Sequence, residues 1–378
     1  MTGCPGPGHG VSFAAFPAMT IAVLTNAYPP TVLGGAGRIA QIYADLLEAR
    51  GHDVRVIDLS QDFRSFIADG PGLRALRHLR DLRPRADLVQ EILAMRPQAL
   101  LTHNLTACGF GTPSAVVAKA GIPWVHVLHD VQLFEPTGQW VHGERHPLLR
   151  SAWRRAWALL RRRSLRHPSL VVSPTRWLLD AHLARGFFRG VPSEVVPNPV
   201  VAEAVPEGIV RDPSSVIFVG RVDRDKGAET LLAAWPALRG AVSRLTLVGG
   251  GEMESAWRRL GDEKVAVLGP RRPEEIRALM AAHGVLVLPS LVHENQPTVI
   301  LEGLSAGCRV VAADVGGVAE TLQDAGRLVL PGDPSALTAT VRAAVQGEWP
   351  EALRAPAVLA QHDPARCVDA LERCLSAR

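Results

Sequence analysis

Two glutamates, Glu294 and Glu302, are separated by seven residues that include Asn295, Gln296, Pro297 and Thr298. Glu302 interrupts Val299, Ile300, Leu301 and Leu304, a stretch that otherwise reads as core. A carboxylate there needs partners, because burying an unpaired charge is expensive. A ligand rich in hydroxyls would supply them, and so would a nearby basic side chain; the spacing leaves both open. Arg221 and Lys226 form a second group, bracketing a short loop that ends at Gly227. Arginine offers a planar fork to phosphate oxygens and lysine a mobile point charge, so the two suit a diphosphate. They would stabilise charge developing on that diphosphate if a bond to it broke. Each cation taken alone reads equally as a surface residue. Asp223 and Asp225 between them resemble a metal-binding acid pair. Neighbouring cations can satisfy both, and no metal is assigned. His129 follows an apolar run and is positioned for a site, the alternative being a loop histidine bonded to nearby backbone. His103, similarly placed, reads as a residue that orders its loop.

The elements that must position these groups are legible as apolar runs. Ile21 to Thr25 is strand-like, and a loop with Pro29-Pro30 leads to Gly34-Gly35-Ala36-Gly37. A helix with Ile39, Ile42, Tyr43, Leu46 and Leu47 at helical spacing follows, ending at Gly51 before a strand at Val54 to Ile57. Strand, glycine loop, helix and strand make a parallel βαβ unit. The glycines let backbone N–H groups at a helix N-terminus approach a phosphate. Gly35-x-Gly37-x-x-Ala40 with Asp58 also fits a dinucleotide fingerprint, which would indicate a dehydrogenase. Nine residues separate Thr25 from Gly35, whereas that fingerprint needs a tight turn directly after its strand. Further strands are expected at Ala99–Thr102, Trp124–Leu128, Leu170–Val172 and Glu194–Val196, most with polar residues just after them. A second series runs through Val216–Val219, Leu245–Val248, Val265–Leu268, Val285–Leu288 and Arg309–Ala312. Pro197 to Pro213 reads as a linker between the series. In open parallel sheets ligands sit beyond the strands' carboxyl ends, where all the candidate residues fall.

A chain of 378 residues exceeds what one core usually supports, so two domains are expected. The predicted division is a disordered lead-in over 1–18, domains over 19–198 and 199–362, and a closing helix over 363–378 packing back towards the first domain. The N-terminal stretch makes a poor secretory signal, and translation from Met19 is an alternative to Met1. Apolar runs are strand-sized, short of the roughly 20 residues a membrane span needs. Five scattered cysteines (Cys4, Cys108, Cys308, Cys367, Cys374) form no CxxC pair and fit a reducing compartment. The net charge of +4 is uneven: Arg145 to Arg166 holds eight arginines and no acid, interleaved with Trp153, Trp157, Leu159 and Leu160. This reads as a basic amphipathic helix with either a solvated arginine face or an affinity for anionic lipid or an anionic acceptor. No nucleic-acid-binding motif accompanies it.

In this order and spacing the motifs resemble the retaining glycosyltransferases of the GT-B group, family 4 type. The resemblance runs from about Ile21 to Asp333. Pro289 to Glu302 looks like that family's donor loop, Gly220-Arg221 with Lys226-Gly227 like its diphosphate grip, and Gly34-Gly35 like its N-terminal glycine loop. His129, Ser173 and Pro197-Asn198-Pro199 fall where the family has related residues. The resemblance implies two Rossmann-like domains facing each other across a cleft. It implies that Glu302 accepts hydrogen bonds from a ribose and that Glu294 contacts the transferred sugar. Asn295, Gln296, Pro297 and Thr298 would offer backbone and side-chain donors to sugar and phosphate, and Arg221 and Lys226 would hold the diphosphate. Gly35 would allow closure, His129 would sit near the reaction centre, and Gly269 would border the base. The implied substrate is a UDP- or GDP-type sugar, with no further cofactor and no metal. The acceptor would be a glycan, glycolipid or small molecule bound by the N-terminal domain, and the enzyme would be cytoplasmic, with surface polysaccharide or glycolipid assembly as its context. A phosphorylase, a nucleotide-sugar epimerase and a non-catalytic binding module are the other readings.

Overall fold

The computed structural model describes residues 16–31, 35–135, 137–143, 148–166, 168–201, 208–349 and 355–376. Most of the lead-in, Gly34, Cys4, the start of the basic segment up to residue 147 and linker residues 202–207 lie outside them. The N-terminal sheet contains β1 (Thr20–Thr25), β2 (Asp53–Asp58), β3 (Ala99–Thr102), β4 (Trp124–Val127), β5 (Leu170–Ser173) and β6 (Ser193–Val195). It is wholly parallel, in the order β2-β1-β3-β4-β5-β6. Its helices are α1 (Gly35–Ala49), α2 (Ser60–Ala68), α3 (Pro71–Arg80), α4 (Ala86–Ala94), α5 (Thr112–Ala120), α6 (Leu148–Ser164) and α7 (Arg176–Leu183). The second sheet contains β7 (Asp212–Val219), β8 (Leu245–Val248), β9 (Val265–Gly269), β10 (His283–Leu288), β11 (Arg309–Ala313) and β12 (Arg327–Val329). It is also parallel, in the order β12-β11-β10-β7-β8-β9. Around it lie α8 (Ala228–Leu238), α9 (Glu254–Arg259), α10 (Pro273–Ala282), α11 (Thr298–Ser305), α12 (Val318–Leu322), α13 (Pro334–Val345) and α14 (Ala355–Gln361), before the closing α15 (Pro364–Ser376).

Central strands are largely apolar because helices cover both faces. Every residue of β10 is buried, and the run Val285-Leu286-Val287-Leu288 lies between β7 and β11. The chain leaves β7 to one side for β8 and β9, then returns to the other side for β10 to β12. Strand order therefore reverses between β7 and β10, the position at which open parallel sheets bind ligands. The loops after those strands carry Gly220 to Gly227 and Pro289 to Pro297, both candidate loops. After β1 the chain runs nine residues before α1, with Pro29-Pro30 between. The tight turn of a dinucleotide fingerprint is absent. Asp58, which that fingerprint would place on a ribose, accepts the Ser60 N–H at 2.8 Å at the start of α2.

The closing helix α15 belongs to the N-terminal core. Cys367, Val368, Leu371, Cys374 and Leu375 pack with Ile21, Val23, Tyr43, Leu101 and Val125. The buried Glu372 holds it in place: one oxygen lies 2.9 Å from His52 Nε2 and the other accepts from Arg50 at 3.3 Å. Arg50 also reaches Asp369 at 2.7 Å. Removing one member of a buried polar set costs about 3–5 kcal/mol, mainly through the groups left unpaired. We expect Glu372→Ala to lose about 3 kcal/mol in urea unfolding, with Glu372→Gln retaining most stability. An unchanged midpoint in the alanine variant would rule out this role. Cys108, Cys308, Cys367 and Cys374 are buried free thiols.

The basic segment differs from the pattern read in the sequence. In α6, Trp157 and Arg161 are buried, whereas Trp153 and Leu159 are exposed. Arg161 stacks on Phe110 and Trp157 at 4.0 and 4.1 Å and donates to the Gln132 carbonyl at 2.9 Å. Burial lowers its pKa to about 9. Arg154, Trp157 and Arg161 recur every three or four residues and so share one helix face, which puts arginine on the protein side as well as the solvent side. Among the described residues, no helix is long and apolar enough to cross a membrane.

Candidate active site

A cleft of about 400 Å³ opens between the two sheets, lined by Gly35, His129, Lys226, Glu294 and Glu302 together with Asn295, Gln296, Pro297 and Thr298. Gly220 and Leu288 form its floor at the ends of β7 and β10. The backbone explains the convergence. Leu291 and Val292 N–H groups both donate to the Asp225 carbonyl, at 2.8 and 3.0 Å, joining the loops after β7 and β10. Lys226 follows directly, and its Nζ lies 2.6 Å from Glu294 Oε1, which also accepts from Ser290 Oγ at 2.9 Å. Gly227 has φ +78°, and a Cβ there would collide with the Pro289 carbonyl. Gly316, at φ +64°, makes the same kind of approach to the Glu294 backbone, and the Gly317 N–H donates to the Glu294 carbonyl at 2.7 Å. Glycine at these positions permits both the backbone conformation and the contact.

Glu302 is half-buried on the cleft face of α11, and Arg38 of α1 reaches it across the cleft at 3.0 Å. The basic neighbour considered in the sequence is therefore present, and the carboxylate is not sealed in the core. Arg221 follows the lining residue Gly220 but turns to Asp223 and Asp225. Half of its side chain remains exposed. Gly269 is not among the lining residues; its carbonyl accepts the Gly249 N–H at 2.9 Å, and Gly249 in turn packs on the Gly220 carbonyl.

The amides of Asn295 and Gln296 already have partners in the N-terminal domain, instead of free donors for a ligand. Asn295 Nδ2 donates to the His129 carbonyl at 3.1 Å, and its Oδ1 accepts from Thr175 Oγ1 at 2.8 Å. Gln296 Nε2 donates to the Pro174 carbonyl at 3.3 Å, and its Oε1 accepts from the Asn198 N–H at 2.6 Å. Glu320 completes the junction by accepting the Arg176 and Trp177 N–H groups at 2.7 and 2.6 Å, where α7's N-terminal donors favour an anion. Residues 140–142 run beside the loop after β10. Val141 forms an antiparallel bridge with Val292, His293 N–H donates to the Trp140 carbonyl at 2.8 Å, and the His293 ring packs against the Trp140–Trp177 pair at 4.5 and 5.5 Å. Arg38, Trp140, Trp177 and Glu320 carried no sequence signal, since their partners lie more than a hundred residues away.

His129 Nε2 lies 2.7 Å from His103 Nδ1, so His103 orders the imidazole as well as its loop. Desolvation lowers the pKa of His129 to about 4, of His182 to about 4 and of His126 to about 3. Desolvation has the opposite sign for acids and raises Asp81 and Asp130 to about 6. For the histidines, the unfolded chain takes up protons below pH 6.5 while the folded chain does not. Their stabilisation is complete above 6.5 and is lost as the pH falls towards 4. The two acids favour folding most below 3.8 and lose that contribution as the pH rises through 6. Only the histidine effect operates between 6.5 and 6, and below that at least four histidines, with His78 also lowered to about 4, oppose these two acids. We therefore expect the thermal midpoint to fall as the pH is lowered from 7 to 4.5. A flat profile would mean that these imidazoles are not held neutral.

Two facing parallel α/β domains, with cations and carboxylates converging where the strand order reverses, define a GT-B glycosyltransferase. Residues 33–204 match the family described as Glycosyltransferase Family 4, and residues 213–347 match Glycosyl transferases group 1. The chain belongs to this glycosyltransferase family. It is 30% identical over 280 residues to the 2-deoxystreptamine glucosyltransferase of Streptomyces kanamyceticus, covering 68% of this chain and 67% of that one. It is 27% identical over 332 residues to the alpha-maltose-1-phosphate synthase of Mycolicibacterium smegmatis, covering 81% and 82%. Among solved structures, Anabaena HepE in complex with UDP and glucose superposes with a TM-score of 0.67 at 22% identity, covering 95% of this chain and 99% of that one.

Proposed function

We propose that the protein transfers a hexose-type sugar from a nucleoside-diphosphate sugar to an acceptor hydroxyl, with retention of anomeric configuration and without a metal. The convergence of Lys226, Glu294 and Glu302 with Gly35 and His129 in one cleft carries this reading. Glu302 would accept the ribose hydroxyls, exchanging its bond to Arg38 for them. Lys226 would move from Glu294 to the diphosphate, freeing Glu294 for hydroxyls of the sugar. Arg221 would join it on leaving Asp223 and Asp225. The acceptor oxygen would attack the anomeric carbon on the face from which the nucleoside diphosphate departs, and the leaving diphosphate would take the acceptor's proton. Lys226, Arg221 and the N-terminal N–H groups of α11 would stabilise the departing charge, so no metal is needed for that purpose. The half-buried His129 would contact the sugar as a neutral imidazole. Asn295, Gln296 and Glu320 join the domains around the cleft, an arrangement that would exclude water and suppress hydrolysis.

UDP is the first donor base to try, since UDP occupies the HepE structure. The acceptor would be a glycan, glycolipid or small molecule on the N-terminal side. The exposed face of α6, with Trp153, supports contact with anionic lipid at the inner face of a cell membrane. Thermal shift with UDP, GDP and NAD⁺ in the presence of a chelator tests the reading, because a ligand of the folded state raises its apparent stability. A shift with one nucleoside diphosphate is expected. A shift with NAD⁺ alone would overturn the transferase assignment. Incubation of the corresponding labelled sugar nucleotide with candidate acceptors, followed by NMR of the product's anomeric proton, tests retention.

A further inference from the structure

A second cavity, of about 730 Å³, lies under α6 on the N-terminal domain. Among the described residues, four arginines line it (Arg154, Arg155, Arg162 and Arg185), against one carboxylate, Glu135. Glu135 is buried and already pairs with Arg154, whose Nε is sealed from solvent with no partner. Arg185 is held in place by donating to the Ala181 carbonyl at 2.8 Å, and its guanidinium lies over Phe134 and Trp140 at 4.0 and 4.7 Å. Arg155 and Arg162 are exposed at the rim, and Ala158 and Leu159 add an apolar wall. Three guanidinium charges are thus left over around one concavity, two of the four arginines being partly withdrawn from water. Confined like charges repel one another at short range, and an anion bridging them removes that repulsion while gaining charge-assisted hydrogen bonds.

We propose that this cavity binds the phosphate group of an amphiphilic, phosphorylated acceptor. The arginines take the phosphate, and Phe134, Trp140 and Leu159 cover the apolar part next to it. Trp140 ties the cavity to the chemistry, since its carbonyl holds the His293 N–H and its ring packs on His293, the residue before Glu294. An acceptor anchored among the arginines would pass Trp140 on its way to the cleft. The term acceptor rests on the transferase reading; the phosphate site itself does not.

The test is calorimetric titration of the full chain with hexyl phosphate, with inorganic phosphate and with UDP. It is repeated on a variant carrying Arg155→Glu and Arg162→Glu, both at exposed positions, Arg162 also donating to the Arg185 carbonyl at 3.4 Å. Hexyl phosphate should bind the unaltered protein more tightly than inorganic phosphate does, and the charge reversals should weaken it by at least about tenfold. UDP binding by the same variant verifies that the fold and the donor cleft are intact. Absence of saturable hexyl phosphate binding, or equal binding by the variant, overturns the proposal. So does capture by phosphatidylglycerol vesicles through Arg155 and Arg162 without hexyl phosphate binding, which would assign the arginines to a lipid surface. Failure of UDP to bind the unaltered protein would strike the donor reading and leave the phosphate site standing.

Discussion

Replacing Lys226 with alanine is expected to lower kcat by about 10²–10³-fold, the usual loss when one preorganised group facing developing charge is removed. Lys226 is a strong candidate for that role because the fold leaves it little freedom. Its loop is bound through the Asp225 carbonyl to Leu291 and Val292, and the next residue, Gly227, packs on Pro289. Its ammonium is partly buried 2.6 Å from Glu294. In the proposed reaction it changes partner from that carboxylate to the diphosphate. The substitution therefore removes charge from the transition state and also leaves Glu294 with Ser290 as its remaining partner. Lys226→Arg should recover little, since a planar fork cannot replace a point charge in a site this tight. Single-turnover measurement with the sugar nucleotide that binds, alongside thermal unfolding, separates chemistry from folding. Undiminished turnover in a folded Lys226→Ala protein would remove Lys226 from the mechanism.

Glu302→Ala should have the next largest effect, this time on affinity. If the carboxylate accepts both ribose hydroxyls, its removal forfeits hydrogen bonds to a charged group, about 3 kcal/mol in total, or roughly 150-fold in the Kd for the nucleoside diphosphate. The ion pair with Arg38 offers a competing explanation, in which Glu302 merely holds α1 against α11. Arg38→Ala decides between them. It breaks the same ion pair, yet on the ribose reading it should leave nucleotide affinity within a few-fold of the original. Equal losses in the two variants would make Glu302 a structural latch.

The sequence located the loops after β7 and β10 well, because their information is local. A strand of apolar residues must end where polar residues begin, and Pro297 marks the start of the following helix. The same logic accounts for eleven of the strands, with boundaries shifted by a residue or more in several. It missed β12, whose apolar run Leu328-Val329-Leu330 is only three residues long and mostly exposed, Val329 alone being buried. The helices α2 to α4 also escaped, although Leu73, Leu76 and Leu79 in α3 and Leu88, Val89 and Ile92 in α4 stand at helical spacing. Sequence reading failed where a residue's role depends on a distant partner. Asn295 and Gln296 looked like ligand donors from their position, yet their amides join the domains. Glu302 looked like a buried acid because its neighbours are apolar, yet it faces the cleft. Trp140 and Trp177 stand against one histidine of the other domain, which nothing near either residue announced.

The packing of α15 on the first sheet has a consequence for how this chain can be divided. The N-terminal domain consists of two stretches that lie at opposite ends of the polypeptide, and the second sheet is in effect an insertion between them. Cutting at the linker near residue 200 would strip the first domain of Val368, Leu371 and Leu375 and of the carboxylate that meets Arg50 and His52. It would also leave the second domain trailing an unmatched apolar helix. A functional exchange of N-terminal domains between relatives would therefore require two junctions, with α15 travelling alongside the segment that precedes the linker.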